Sequence, residues 1–252
     1  MWNLEGQKAV ITGGSKGIGR ASVLEFLKLG AEVLFTARKA EDIIKFQDEL
    51  LAKGYKVKGM VADVTKPEDR QKVMEYVENT WGSLNILVNN AGINIRKRAH
   101  EYSEEEFRKV LEINLVSPFA LSRELHLLLK ASGNAKIINV SSAAATQDVG
   151  SGTPYAMSKA GLLQQTRSLA VEWAADKIRV NAVSPWYTHT PLTQSVLEQE
   201  DRLKSILNMT PLKRVAKAEE MASIIAFLAM DKSSYITGQN IVADGGMSVK
   251  AI

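Results

Sequence analysis

The chain has 252 residues, 45% hydrophobic and 24% charged, and contains no cysteine. That usage fits a folded chain long enough to bury a full core; it excludes a disordered tail, a collagen, a coiled coil, a disulfide scaffold, a thiol nucleophile and a cysteine-based zinc site. A net charge of +4, from 32 basic and 28 acidic residues, is poor footing for nucleic acid, and no apolar run approaches membrane-span length.

The N-terminus, MWNLEGQKAVITGG, lacks the basic and apolar regions of a secretory signal, so a cytoplasmic location is expected. Strand-length apolar runs then alternate with segments of helical period. Residues 7–14 read as a strand ending in glycines and 19–29 as a helix, joined by Thr12-Gly13-Gly14-Ser15-Lys16-Gly17-Ile18-Gly19. Glycines there let backbone approach a pyrophosphate at a helix N-terminus, although a plain tight turn has the same composition. Residues 31–37 form a second strand, 41–53 a helix, 56–64 a third strand, 66–81 a helix and 84–92 a fourth strand. The basic run Arg96-Lys97-Arg98, with His100, reads as a solvated loop; the alternative is a loop that meets an anionic substrate. A helix is expected over 103–130, opened by a capping box at Ser103-Glu104-Glu105-Glu106, then a strand over 135–142 and a helix over 155–175. Strand 178–185, helix 217–230 and strand 240–246 complete the alternation.

Strands alternating with helices imply βαβ units, and continuous apolar strands imply a sheet covered on both faces. The expected fold is one α/β domain over 1–252: a Rossmann-type, doubly wound, seven-stranded parallel sheet with helices on both faces. An eightfold barrel would need another unit. Ligands of such a sheet bind beyond the carboxyl ends of the strands, here TGG, TAR, ADV, NNAG, VSS and SPW. Tyr155 and Lys159 stand four residues apart and share a helix face. A nearby ammonium favours a phenolate, which would make the tyrosine a usable acid and base; a packed Tyr beside an exposed Lys is the bland reading. His100, His126 and His189 lie too far apart to suggest a metal site.

TGGSKGIG, NNAG, a serine thirteen residues before the tyrosine, and YAMSK together resemble the short-chain dehydrogenase/reductase family, in its order and spacing over essentially the whole chain. SPWYTHTPL is also similar to the tropinone-reductase-like branch. The resemblance implies Tyr155 as catalytic acid/base, Ser142 as partner of the substrate oxygen, and Lys159 as holder of the nicotinamide ribose that also lowers the Tyr155 pKa. It implies Asn114 as a helix-kink residue on a proton relay. The implied coenzyme contacts are Gly13, Ser15, Lys16, Gly17, Ile18 and Gly19 at the glycine turn, Asp63 and Val64 at the adenine, and Asn90, Ala91 and Gly92 beside its ribose. Pro185, Thr188 and Thr190, with Tyr155 and Lys159, complete that set. Where relatives usually have Pro-Gly, this chain has Pro185-Trp186.

The second strand ends in Ala37, where an NAD-preferring relative carries an acid, and Arg38 follows it. Arg38 and Lys16, with no carboxylate between them, suit a 2′-phosphate, so NADP(H) is the expected cofactor. Candidate pocket residues are Ser142, Gln147, Asp148, Val149, Tyr155, Trp186, Tyr187 and His189, with a mobile lid over 186–209. The expected activity is NADPH-dependent reduction of a small-molecule carbonyl compound, without metal. A 3-oxoacyl-carrier-protein reductase and a non-catalytic NADPH-sensing protein are the alternatives. The resemblance further implies a homo-oligomer, a tetramer or dimer, with no membrane or nucleic-acid partner.

Overall fold

A computed structural model describes residues 2–250; Met1, Ala251 and Ile252, the ends of the expected 1–252 domain, lie outside the described residues. The strands are β1 (Lys8–Thr12), β2 (Glu32–Ala37), β3 (Val57–Val61), β4 (Ile86–Asn89), β5 (Ala135–Val140), β6 (Ile178–Pro185) and β7 (Asn240–Ala243). They form one sheet in the order β3-β2-β1-β4-β5-β6-β7, and every pairing is parallel. The order reverses between β1 and β4, which opens a crevice at their carboxyl ends.

The crossovers are α1 (Gly17–Lys28), α2 (Ala40–Leu51), α3 (Pro67–Tyr76), α4 (Glu104–Leu111), α5 (Ser117–Glu124), α6 (His126–Ala131) and α7 (Thr153–Glu172). After β6 come α8 (Gln194–Leu197), α9 (Glu200–Met209) and α10 (Ala218–Ala229). Strand side chains alternate between two apolar layers. Ile11, Phe35, Val88 and Ile138 meet Phe26 of α1, Phe46 of α2 and Ile225 of α10. Val10, Leu34, Leu87 and Ile137 meet Val73 of α3, Leu121 of α5, Leu129 of α6 and Leu169 of α7. Burial on both faces is why these strands read as unbroken apolar runs.

The helical stretch expected over 103–130 is interrupted at Asn114, where the resemblance implied a kink, and again at Leu125, which was not expected. A π-helical turn at Glu112–Val116 separates α4 from α5, and α5 gives way to α6 at Leu125. Pro118 has no N–H to give the preceding turn, and buried Asn114 spends its amide on a neighbouring loop. The expected helix over 66–81 likewise ends in a π turn at Val77–Trp81, closed by Gly82 in the left-handed region. Strands expected to reach residues 64, 92 and 142 stop at Val61, Asn89 and Val140, because their last residues bend to line the crevice. The 186–209 stretch, expected as a lid with no element of its own, holds α8 and α9.

Candidate active site

The glycine turn between β1 and α1 is held from beneath by β4. The Thr12 hydroxyl accepts from the N–H groups of Asn90 and Ala91, both at 3.0 Å. Asn90 Nδ2 returns bonds to the carbonyls of Thr12 and Gly13. Gly13 and Gly17 have φ of +66° and +54°, which side chains resist. A Cβ on Gly19 would stand 2.3 Å from the Gly13 carbonyl oxygen and 2.4 Å from Asn90 Nδ2. Gly19 therefore lets helix and turn approach, and it sits behind the cleft wall rather than on it. The first turn of α1 carries no acidic residue, so its N-terminal N–H groups keep their pull on an anion.

Above this turn lies a cleft of about 520 Å³. Of the residues singled out from sequence, it gathers Gly13, Ser15, Lys16, Gly17, Ile18, Arg38, Asp63, Val64, Asn90, Ala91 and Gly92 at one end. Ser142, Val149, Tyr155, Lys159, Pro185, Trp186, Tyr187, Thr188 and Thr190 line the rest. Gln147 does not reach it: its side-chain N–H donates to the Ser248 carbonyl at 3.3 Å. Asp148 caps its own loop by accepting from the Gly150 N–H, and His189 lies off the wall with its N–H on the Ala216 carbonyl.

Asn114 also stands behind the wall. Its Oδ1 accepts from the Ile93 N–H at 2.9 Å, and its Nδ2 donates to the Ile93 carbonyl and to Ser158 Oγ. Ser158 in turn donates to the Tyr155 carbonyl. Tyr155, which Asn114 braces through Ser158, and Lys159 project from α7 to the cleft. Lys159 is 4% exposed; its Nζ donates to the Val140 carbonyl at 2.8 Å and stands 5.7 Å from the Tyr155 ring centroid. Burial lowers its pKa from the ordinary 10.5 to about 8.

The Tyr155 phenol is displaced the other way. Burial pushes it above the usual tyrosine range, outweighing the hydrogen bond of Ser142 and the positive charge of Arg96, which pull it down. This corrects the sequence expectation of a phenol lowered by Lys159: the desolvation that traps the pair exceeds any gain from the ammonium.

Lys16 also departs from expectation. Its ammonium pairs with Asp42 Oδ2 at 2.8 Å, and Asp42 lines the same end of the cleft, so a carboxylate does stand near the two cations. Arg38 makes no ion pair among the described residues, and Lys39 lines the wall beside it. No local pattern marks Asp42, because only the fold brings the start of α2 over the glycine turn. Arg96 and Asn94 are further wall residues; the basic run was the one signal for the first, and nothing marked the second.

A family model described as enoyl-(acyl carrier protein) reductase matches residues 13–248. The chain belongs to the short-chain dehydrogenase/reductase family. A tropinone reductase homolog of Arabidopsis thaliana is 44% identical over 249 residues, 98% of this chain and 94% of that protein. Among solved structures, a candidate NAD(P)-dependent gluconate 5-dehydrogenase of Beutenbergia cavernae, holding NADP at low occupancy, superposes with a TM-score of 0.94. It is 34% identical and 99% of each chain is covered. A gluconate 5-dehydrogenase of Burkholderia cenocepacia in complex with NADP and tartrate superposes at 0.95, with 26% identity over 99% of this chain and 98% of that one. As a member of this family the chain is an oxidoreductase of Rossmann type.

Proposed function

We propose that this family member is an NADP(H)-dependent carbonyl reductase whose proton donor is Tyr155. The observation that carries the reading is the convergence of Ser142, Tyr155 and Lys159 on one cleft whose far end is the glycine turn and Arg38. The fit of a dinucleotide rests on the same cradle: positive φ at Gly13 and Gly17, the Gly19 contact that forbids a Cβ, and an α1 N-terminus free of acids. The relatives of known structure that hold NADP support the phosphorylated form. Arg38 and Lys39 would face its 2′-phosphate, with Lys16 already engaged by Asp42. When bound, the nicotinamide coenzyme supplies the hydride.

The chain supplies the proton. A phenol held above its usual pKa stays protonated at neutral pH and can give its proton to a carbonyl oxygen as charge develops there. Ser142 adds a second hydroxyl at that oxygen. Lys159, charged below about pH 8, keeps a positive charge behind the phenol and favours its conversion to phenolate. Asn114 holds the main chain at Ile93 and, through Ser158, the turn of α7 that bears Tyr155. Trp186 and Tyr187, ring centroids 4.7 Å apart, wall the substrate end, and the 186–209 stretch is proposed to close over it. The Trp186 indole N–H already ties the start of this stretch to Thr210 Oγ1 at 3.1 Å.

A ketone panel with NADPH tests the reading, with 3-oxoacyl and enoyl thioesters included. Oxidation of NADPH by ketones carries it; turnover with thioesters alone favours a carrier-protein reductase. NADPH binding without turnover of any member would favour a non-catalytic sensor.

A further inference from the structure

The carbonyl substrate has a charge to match. Seven charged side chains line the cleft, and Lys16, Arg38, Lys39, Asp42 and Asp63 all belong to the end near the glycine turn. Lys159 is committed to the Val140 carbonyl behind Tyr155. That leaves Arg96 as the charged group of the substrate end, among Ile93, Val149, Trp186, Tyr187 and Leu192. Among the described residues no carboxylate accompanies it there: Asp42 and Asp63 are the acidic residues of the wall. Of the neighbouring cations, Lys97 is paired with Glu106 at 2.6 Å, whereas Arg96 makes no ion pair among the described residues and spends one N–H on the Leu192 carbonyl at 3.3 Å. A guanidinium has four more N–H donors in a planar fork.

The main chain before Arg96 is fixed. Asn114 grips Ile93 through both its N–H and its carbonyl. The Tyr102 hydroxyl donates to the Ile95 carbonyl. Gly152, at φ +98°, lets the opposite wall come close, since a Cβ there would stand 2.2 Å from that hydroxyl. The arginine therefore starts from a pinned stem, and its charge is felt at the Tyr155 phenol. Asn94, in the same stretch, lines the wall with a buried Oδ1 that has no hydrogen-bond partner among the described residues, an acceptor suited to a substrate hydroxyl.

We infer that the substrate is an oxo-carboxylate whose anionic group is read by Arg96 while its carbonyl meets Ser142 and Tyr155. One cation with no carboxylate beside it matches a single negative charge; a doubly charged phosphate would be left half compensated, and a cationic amino ketone would be repelled. The inference rests on the carbonyl-reductase reading, and two measurements separate their failures.

The first is kcat/KM with NADPH for levulinate, its methyl ester and a dimethylamino ketone of the same length, extended to longer oxo acids, in wild type, R96M and R96K. The wild type is expected to prefer acid over ester by about tenfold or more, with the cation last. The acid-to-ester ratio should fall by about the same factor in R96M and recover in part in R96K, because lysine keeps the charge and loses the fork. The second is calorimetric binding of the same carboxylates to wild type and R96M, which needs no turnover. Turnover of ketones with no preference for the acid, or with a ratio that R96M leaves unaltered, overturns the inference and spares the reductase reading. Arg96-dependent carboxylate binding without turnover keeps the inference of an anion site and overturns the reductase. Neither turnover nor Arg96-dependent binding overturns both.

Discussion

Replacing Lys159 by methionine should make the protein more stable while it abolishes the reaction. In the folded chain the Lys159 pKa falls from 10.5 to about 8 because the ammonium is buried. At ~1.36 kcal/mol per pH unit, keeping it charged at neutral pH costs the folded state about 3 kcal/mol. Methionine fills similar volume without that cost, and it forfeits the hydrogen bond to the Val140 carbonyl, worth about 1 kcal/mol. The net expectation is a gain of about 2 kcal/mol at pH 7. The sign follows from proton binding. Below pH 8 both folded and unfolded wild type hold the proton and the cost is present in full. Between pH 8 and 10.5 the unfolded chain holds it more tightly, so wild-type stability rises relative to K159M as pH increases. The advantage of K159M should shrink across that window and reverse slightly near its upper end. Urea unfolding of both proteins at pH 7 and near pH 10, without coenzyme, measures it. A variant less stable than wild type at pH 7, or a difference that does not move with pH, would refute the burial argument.

Tyr155→Phe should keep NADPH binding and lose at least ~10²-fold in turnover, measured by coenzyme fluorescence and steady-state rates, since it deletes a proton donor and leaves the cradle. Gly19→Ala should cost more than an ordinary glycine-to-alanine change, about 1–3 kcal/mol in stability with a large loss of coenzyme affinity, because its Cβ meets the Gly13 backbone and the Asn90 amide that holds the turn. Thermal melts with and without NADPH would show both effects. Arg38→Ala should weaken NADPH about tenfold and leave NADH nearly alone. Lys16→Ala should do less, because Asp42 already takes up that charge; equal effects of the two variants on kcat/KM would contradict the pairing.

Much of the frame was legible because it obeys local rules. Runs such as AVIT and NILV are continuous since both faces of β1 and β4 are covered, and Tyr155 and Lys159 share a face by helical spacing alone. Other features depend on contacts that no local pattern carries. The resemblance implied a kink at Asn114, but its cause, bonds to Ile93 twenty-one residues earlier, appears only in the fold. Lys16 looked available because Asp42 meets it only when α2 folds over the turn. The direction of the Tyr155 shift depends on how completely the cleft removes water from the phenol, which spacing cannot report. Arg96 is legible as a charge with two readings, a solvated loop or one that meets an anionic substrate; only the fold separates them, because Asn114 and Tyr102 place the loop.

The π turn at Glu112–Val116 also constrains how this chain can change. Such a turn is an α-helix with one residue too many. Deleting that residue would restore a regular ladder and advance everything on one side by about 100° around the axis. Either Val110 of α4 would leave its packing, or Leu121, Leu125 and Leu129 would swing off the sheet. The irregularity that turns Asn114 toward Ile93 is thus locked in by residues that never approach the cleft. Drift through single deletions is closed at this point, and variation in the segment should run through substitution alone.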